Sequence, residues 1–217
     1  GGTQYSWRGP NGFTSTGSPS AIENIQLLQA GKYYVDVLNA AGCLTKDSTV
    51  VAINTRPQAA TAFTNATICA GDSVQLAASG GLTYLWIPAA GLSDATIFNP
   101  KASPDATTEY STVVSNQYGC YDTVRTLINI VQKPIANAGS DKIIIQGQQV
   151  QLTGSLNDNG NSIAWSPVTF IDDIYSLQPF VNPPSDLEFV LKATSNFGCG
   201  VSSDTVFVKV FRDIFVP

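Results

Sequence analysis

Tyr110-Ser111-Thr112-Val113-Val114-Ser115-Asn116-Gln117-Tyr118-Gly119-Cys120, followed by Asp122-Thr123-Val124-Arg125-Thr126-Leu127-Ile128, is the stretch that decides the fold. Two β-rich runs flank an Asn and Gly turn, the signature of an antiparallel hairpin. The same sentence of sequence is written twice more. Tyr33-Tyr34-Val35-Asp36-Val37-Leu38-Asn39 runs to Gly42-Cys43 and on to Asp47-Ser48-Thr49-Val50-Val51-Ala52-Ile53. Phe189-Val190-Leu191-Lys192-Ala193-Thr194-Ser195-Asn196 runs to Gly198-Cys199 and on to Asp204-Thr205-Val206-Phe207-Val208-Lys209-Val210.

Trp7, Trp86 and Trp165 recur every 79 residues and precede their cysteines by 36, 34 and 34 residues. A period of this length means small domains in tandem. Each repeat has room for about seven short strands around a central Trp, the size of an immunoglobulin-like β-sandwich. Composition agrees: 18 Gly, 12 Pro and only 12% charged residues suit short strands and turns. Ala21 to Gln29 is the best helical candidate, and it is short enough to be a strand or a single turn. In the second repeat, strands are expected at Ser73 to Ala78, Thr83 to Ile87, Thr96 to Asn99, Tyr110 to Ser115 and Thr123 to Val131. Val74-Gln75-Leu76 and Val150-Gln151-Leu152 alternate so that Val and Leu face the core. The tryptophans are expected between the sheets, with a surface sugar platform as the other reading.

Prolines at Asn54-Thr55-Arg56-Pro57 and Val131-Gln132-Lys133-Pro134 mark short, stiff linkers. The expected domains are 1–56, immunoglobulin-like and lacking its first strands; 57–132, immunoglobulin-like or PKD-like; 133–211, PKD-like; and 212–217, a lead-in to a further domain. Together they predict an all-β, extended rod of tandem immunoglobulin-like/PKD-like β-sandwiches. With no Met and a start at Gly1-Gly2-Thr3-Gln4, the chain reads as an internal stretch of a longer protein. No apolar run reaches membrane-spanning length.

Cys69 and Cys120 stand 51 residues apart in one repeat, at its opening strand and closing hairpin, and are expected to form a disulfide in an oxidising, extracellular setting. The same separation places a partner for Cys43 before residue 1, and Ile145 stands where a partner for Cys199 would be, leaving Cys199 an unpaired thiol. The alternative is four buried free cysteines.

The chain has no His, which removes Ser-His, Cys-His and His-metal chemistry. The cysteines lack C-x-x-C spacing, so no zinc site and no cofactor is expected. Asp172-Asp173 with Asp186 or Glu188 is the one carboxylate set suited to glycoside hydrolysis, but adjacent strand residues point to opposite faces and loop solvation is the simpler reading. Asn157-Asp158-Asn159-Gly160-Asn161 offers oxygens for Ca²⁺ without the acidic density of an EF-hand, so a plain turn is expected. A net charge of −5 without a basic cluster disfavours nucleic acid and anionic membrane.

The stretches Cys69-Ala70-Gly71-Asp72-Ser73-Val74-Gln75-Leu76, Tyr84-Leu85-Trp86-Ile87-Pro88, Gly91-Leu92-Ser93, Asn99-Pro100 and Asn116-Gln117-Tyr118-Gly119-Cys120 resemble the Ig-like/PKD-type repeats of large surface proteins from Bacteroidota. Asn137-Ala138-Gly139-Ser140-Asp141 with Trp165-Ser166-Pro167 is similar to the opening of a PKD domain, and Val208 to Pro217 resembles the run into a gliding-motility-associated C-terminal domain that acts in type IX secretion. The resemblance implies non-enzymatic stalk repeats of an exported, outer-membrane-attached or secreted adhesin or gliding protein. Its implied partners are neighbouring domains, the type IX secretion machinery, and surface polysaccharide or other cells. It also implies candidate O-glycosylation at Ser48, Ser73, Thr123 and Thr205, each after an Asp; the other reading is an Asx turn at a strand entry. The alternative function is a carbohydrate-binding accessory region of a polysaccharide-degrading enzyme, with Tyr118, Tyr121, Phe170 or Tyr175 stacking on sugars.

Overall fold

The computed structural model describes residues 2–157 and 161–212, and the chain folds as β-strands with two single 3-10 turns, Pro10–Gly12 and Leu27–Gln29. The first repeat holds β1 (Gln4–Arg8), β2 (Thr14–Thr16), β3 (Gly31–Leu38) and β4 (Leu44–Val51). The second holds β5 (Ala60–Thr61), β6 (Asn65–Cys69), β7 (Val74–Gln75), β8 (Ala78–Ser79), β9 (Thr83–Ile87), β10 (Lys101–Ala102), β11 (Thr108–Ser115) and β12 (Tyr121–Val131). The third holds β13 (Ala136–Asn137), β14 (Lys142–Ile145), β15 (Val150–Gln151), β16 (Ser155–Leu156), β17 (Asn161–Ser166), β18 (Phe180–Val181), β19 (Leu187–Ser195) and β20 (Val201–Phe211).

Repeats two and three share one topology. Their main sheets run β6-β12-β11-β9 and β14-β20-β19-β17, and small sheets β5-β8, β7-β10 and β13-β16, β15-β18 supply the other layer. The opening strand lies parallel to the closing one: Asn65 to Cys69 pair with Leu127 to Val131, and Lys142 to Ile145 with Val208 to Phe211. All other ladders are antiparallel.

The hairpins form as expected, and their turns show why. Asn39 Oδ1 accepts from the Ala41 and Cys43 amides, and Asn116 Oδ1 from those of Tyr118 and Cys120. Gly42, Gly119 and Gly198 sit at φ of 81°, 77° and 78°, left-handed backbone that only glycine adopts freely.

Trp86 and Trp165 are 1% exposed at the centre of their sandwiches, ringed by Leu76, Ala78, Tyr110 and Ile128 in one and by Leu152, Val181, Phe189 and Val208 in the other. Their indole N–H groups donate to the carbonyls of Ile97 and Ser176, both at 2.8 Å, so ring burial leaves no polar atom stranded. The sugar-platform reading therefore fails for these two. Leu76 and Leu152 are fully buried on the core face, as the alternation predicts.

Two expectations need correction. The run Ser73 to Ala78 forms two short strands: β7 pairs with β10, the Leu76 and Ala78 amides donate on to the Pro100 and Phe98 carbonyls of the same neighbouring segment, and β8 takes β5 on its other edge. Thr96 to Asn99 is a turn and bend, because its carbonyls are spent on a side chain and a crossing strand: Ile97 O accepts the Trp86 indole and Phe98 O the Ala78 amide. Ala21 to Gln29 resolves to the single turn at Leu27–Gln29.

Thr112 is completely buried with its hydroxyl unpaired, and register places it opposite Trp86, just as Val35 lies opposite Trp7 and Leu191 opposite Trp165. A stranded hydroxyl costs about 1–3 kcal/mol. Thr112→Val should therefore stabilise the protein by roughly 1 kcal/mol in a denaturant melt.

Candidate interaction site at the repeat joints

The cysteines are placed by strand order. Parallel pairing carries Cys69 to a position beside Val131, at the far end of β12, while Cys120 precedes the start of that strand. β12 has 11 residues, which at about 3.3 Å each separates the two cysteines by roughly 35 Å. A disulfide needs Cα atoms within about 7 Å. The expected Cys69–Cys120 bond is thus excluded, and Cys69 is joined instead to Cys199, with a Cα–Cα distance of 5.3 Å. Cys199, expected as a free thiol, is bonded and only 4% exposed. The bond ties the opening strand of repeat two to the β19–β20 turn of repeat three. A shallow cleft around it is lined by Ala70, Gly71, Asp72, Lys133, Gly198 and Gly200.

The preceding joint is built from the same parts without the bond. The β11–β12 turn of repeat two rests on the chain leaving β4: Asn116 Nδ2 donates to Thr55 O at 2.8 Å, and the Cys120 thiol lies 3.8 Å from Asn54 O. Cys120 is a free, partly exposed thiol, and Cys43 is a free, exposed one in the β3–β4 turn.

Repeat one has a sheet of order β2-β1-β3-β4 and, among the described residues, no counterpart of β6 or of the small second-layer sheets. Its inner face is therefore only partly covered, by the connection between β2 and β3. Trp7 is only half-buried, and Tyr33 and Val35 are its sole buried apolar residues among those described. A groove of about 300 Å³ runs along that face, lined by Trp7, Phe13, Ile22, Ile25, Tyr33 and Val51. Ser20 also borders it, with its buried hydroxyl lacking a partner.

The four candidate hydroxyl residues, Ser48, Ser73, Thr123 and Thr205, are all exposed. Three of the preceding aspartates also carry structural bonds. Asp122 accepts from the Ala59 and Thr123 amides at 2.9 Å, Asp204 from the Ala138 amide at 2.8 Å, and Asp47 from the Ser48 amide at 2.7 Å. Asp47 and Asp204 are in register, each two residues before the partner of the repeated aromatic, whereas Asp122 lies four before it.

The carboxylate set is spread over backbone duties. Asp172 accepts from Asp173 N and Phe180 N, Asp173 from Tyr175 N, and Asp186 from Val210 N. Among the described residues no group of three or more acidic or cysteine side chains is arranged to hold a metal. The Asn157 to Asn161 run falls partly outside the described residues, as do Asp213 to Pro217 of the expected lead-in. Tyr118, Tyr121, Phe170 and Tyr175 are exposed, at 59%, 61%, 45% and 70%, and belong to two different repeats. No helix of the described chain is long and apolar enough to cross a membrane.

Three outcomes follow from this geometry. Peptide mapping without reduction should give a Cys69–Cys199 linked pair and thiols at Cys43 and Cys120, and Cys199→Ser should cost about 5 kcal/mol, the chain-entropy value for a loop with a separation of 130 residues. The Ala59 and Thr123 amides hold the Asp122 carboxyl below its ordinary value of 3.8. Its contribution to stability is then complete above that value and lost as pH falls through the folded one. Asp122→Asn should flatten the acid limb of a pH–stability profile.

No family model matches the chain, and no curated protein matches it in sequence. Solved structures do. The first two Ig domains of DIP-gamma superpose with a TM-score of 0.53 at 13% identity, covering 73% of this chain and 99% of that one. A three-Ig fragment of titin, in an E-to-A mutated variant, gives 0.48 at 12% identity over 98% and 89%. The insect immune protein hemolin gives 0.46 at 14% identity over 95% and 67%. At such identities the likeness concerns fold, and the chain is an array of immunoglobulin-like β-sandwiches.

Proposed function

We propose that this chain is a non-enzymatic stalk or spacer segment of an exported surface protein, an adhesin or gliding-motility protein of the type IX secretion pathway, in which the repeats hold a distal tip away from the cell. The observation that carries the reading is the bond between repeats. A disulfide inside a sandwich stabilises one domain; Cys69–Cys199 fastens two neighbours and restricts their bending. A structural disulfide also fits an extracellular, cell-surface setting. The lineage and route rest on the sequence resemblance. In this reading repeat one is a sandwich short of its opening strands, residues 57–132 and 133–211 are complete modules, and the exposed Ser48, Ser73, Thr123 and Thr205 carry O-glycans that shield strand edges.

Load applied between the chain ends bypasses everything enclosed by the disulfide. Residues 70 to 198 contain β7 through β19, so most of two repeats cannot lengthen while the bond is intact. Single-molecule stretching of the full chain should gain on the order of 400 Å of contour length on adding reductant, from 130 residues at about 3.5 Å each less the folded span. Equal contour lengths with and without reductant would refute the mechanical role.

A further inference from the structure

We infer that the free edge of β4 is a docking site for a parallel, five-residue β-strand of the β6 type, whose terminal cysteine forms a disulfide with Cys120. The inference rests on strand register within the chain and stands independently of the stalk reading.

Register makes the repeats superimposable. Tyr33 pairs with Thr49, Tyr110 with Thr126 and Phe189 with Val206, so β4 and β12 correspond with an offset of 77 (126−49), and β12 and β20 with one of 80 (206−126). Leu127 to Val131, which carry β6, therefore correspond to Val50 to Asn54. β12 extends through all five positions, whereas β4 stops at Val51, the second of them. The difference has a physical cause: among the described residues no strand pairs with Ala52 to Asn54. Val50 is 71% exposed, although its counterpart Leu127 is half-covered and donates its N–H to Thr64 O at 2.9 Å. An unpaired edge beside a partly open apolar groove is the setting for strand addition.

The cysteine is placed by the same register. In the bonded joint Cys69 lies opposite Val131, and the turn cysteine of the next repeat, Cys199, meets it there. The counterpart of Val131 is Asn54, and the turn cysteine of the next repeat, Cys120, already stands 3.8 Å from its carbonyl. A strand laid on Val50 to Asn54 with cysteine in fifth place thus delivers its sulfur to Cys120. The pattern required is that of Asn65-Ala66-Thr67-Ile68-Cys69, where Ala66 and Ile68 pack on the core; in the docked strand the second and fourth residues would cover the groove flanked by Trp7 and Val51. Cys43 has no such role, since it lies at the far end of β4. Bond formation joins the two sulfurs, releases two protons and passes two electrons to a small-molecule disulfide, which leaves as two thiols.

The test uses the 217-residue chain and a synthetic peptide of residues 63–72, its cysteine supplied as a glutathione mixed disulfide. Attack by the Cys120 thiolate on the peptide sulfur expels glutathione and leaves a covalent adduct. Adduct formation at Cys120 is expected at least tenfold faster than at the more exposed Cys43, with new amide protection at Val50 and Ala52. A peptide carrying Ile68→Asp, equally reactive but unable to cover the groove, should lose that preference, and Val50→Pro in the chain, which removes the edge N–H, should do the same. Equal labelling of the two thiols, insensitivity to both substitutions, or a Cys120–Cys120 dimer in place of the peptide adduct would overturn the inference.

Discussion

Parallel pairing of an opening strand with a closing strand is the constraint on which the joints depend. Antiparallel hairpins return the chain to where it started, so they build a sheet without deciding what stands at its ends. Laying β6 alongside β12 in the same direction sends both to the same end of the sandwich, where the chain crosses to the next repeat. That single choice puts Cys69 within reach of Cys199 and out of reach of Cys120. The turn residues complete the joint: a left-handed glycine sits at each hairpin tip, held in repeats one and two by an Asn side chain, and in repeats two and three the following cysteine meets the preceding repeat.

Repeat one shows what the second layer contributes. Its hairpin, Trp and Tyr are placed as in the others, and the Trp7 and Tyr33 side chains find carbonyl partners at Gly17 and Gln29. Yet no core cluster forms there among the described residues, whereas repeats two and three each have one. Local pairing thus suffices to set the sheet, and burial requires the layer across from it. Each tryptophan ring left half in water forgoes much of the roughly 1.5–3 kcal/mol that full burial of a large apolar side chain supplies.

What was legible in the sequence was what is local or periodic. The hairpins follow from Asn and Gly at fixed offsets, the core positions of Leu76 and Leu152 from alternation, and the tandem sandwiches from the spacing of Trp7, Trp86 and Trp165. The cysteine pairing was not legible, because the span of 51 residues from Cys69 to Cys120 says nothing about which end of a sandwich each occupies. The recurrence of the turn cysteine in all three repeats, against an opening-strand cysteine in one, was the available signal that pairing runs between repeats. The division into β7 and β8 was hidden for a related reason: Leu76, Ala77 and Ala78 read as one apolar run, and only the arrival of β5 beside Ala78 and Ser79 marks a second partner there.

The placement of the disulfide also changes what a peptide-bond cleavage does to the molecule. Gln132-Lys133, the exposed pair in the crossing between repeats two and three, is the kind of site that extracellular proteases attack. It lies inside the ring closed by Cys69 and Cys199, so hydrolysis there leaves both fragments covalently attached, with each sandwich retaining its strands. The protein can thus be nicked at its joint and still not be severed.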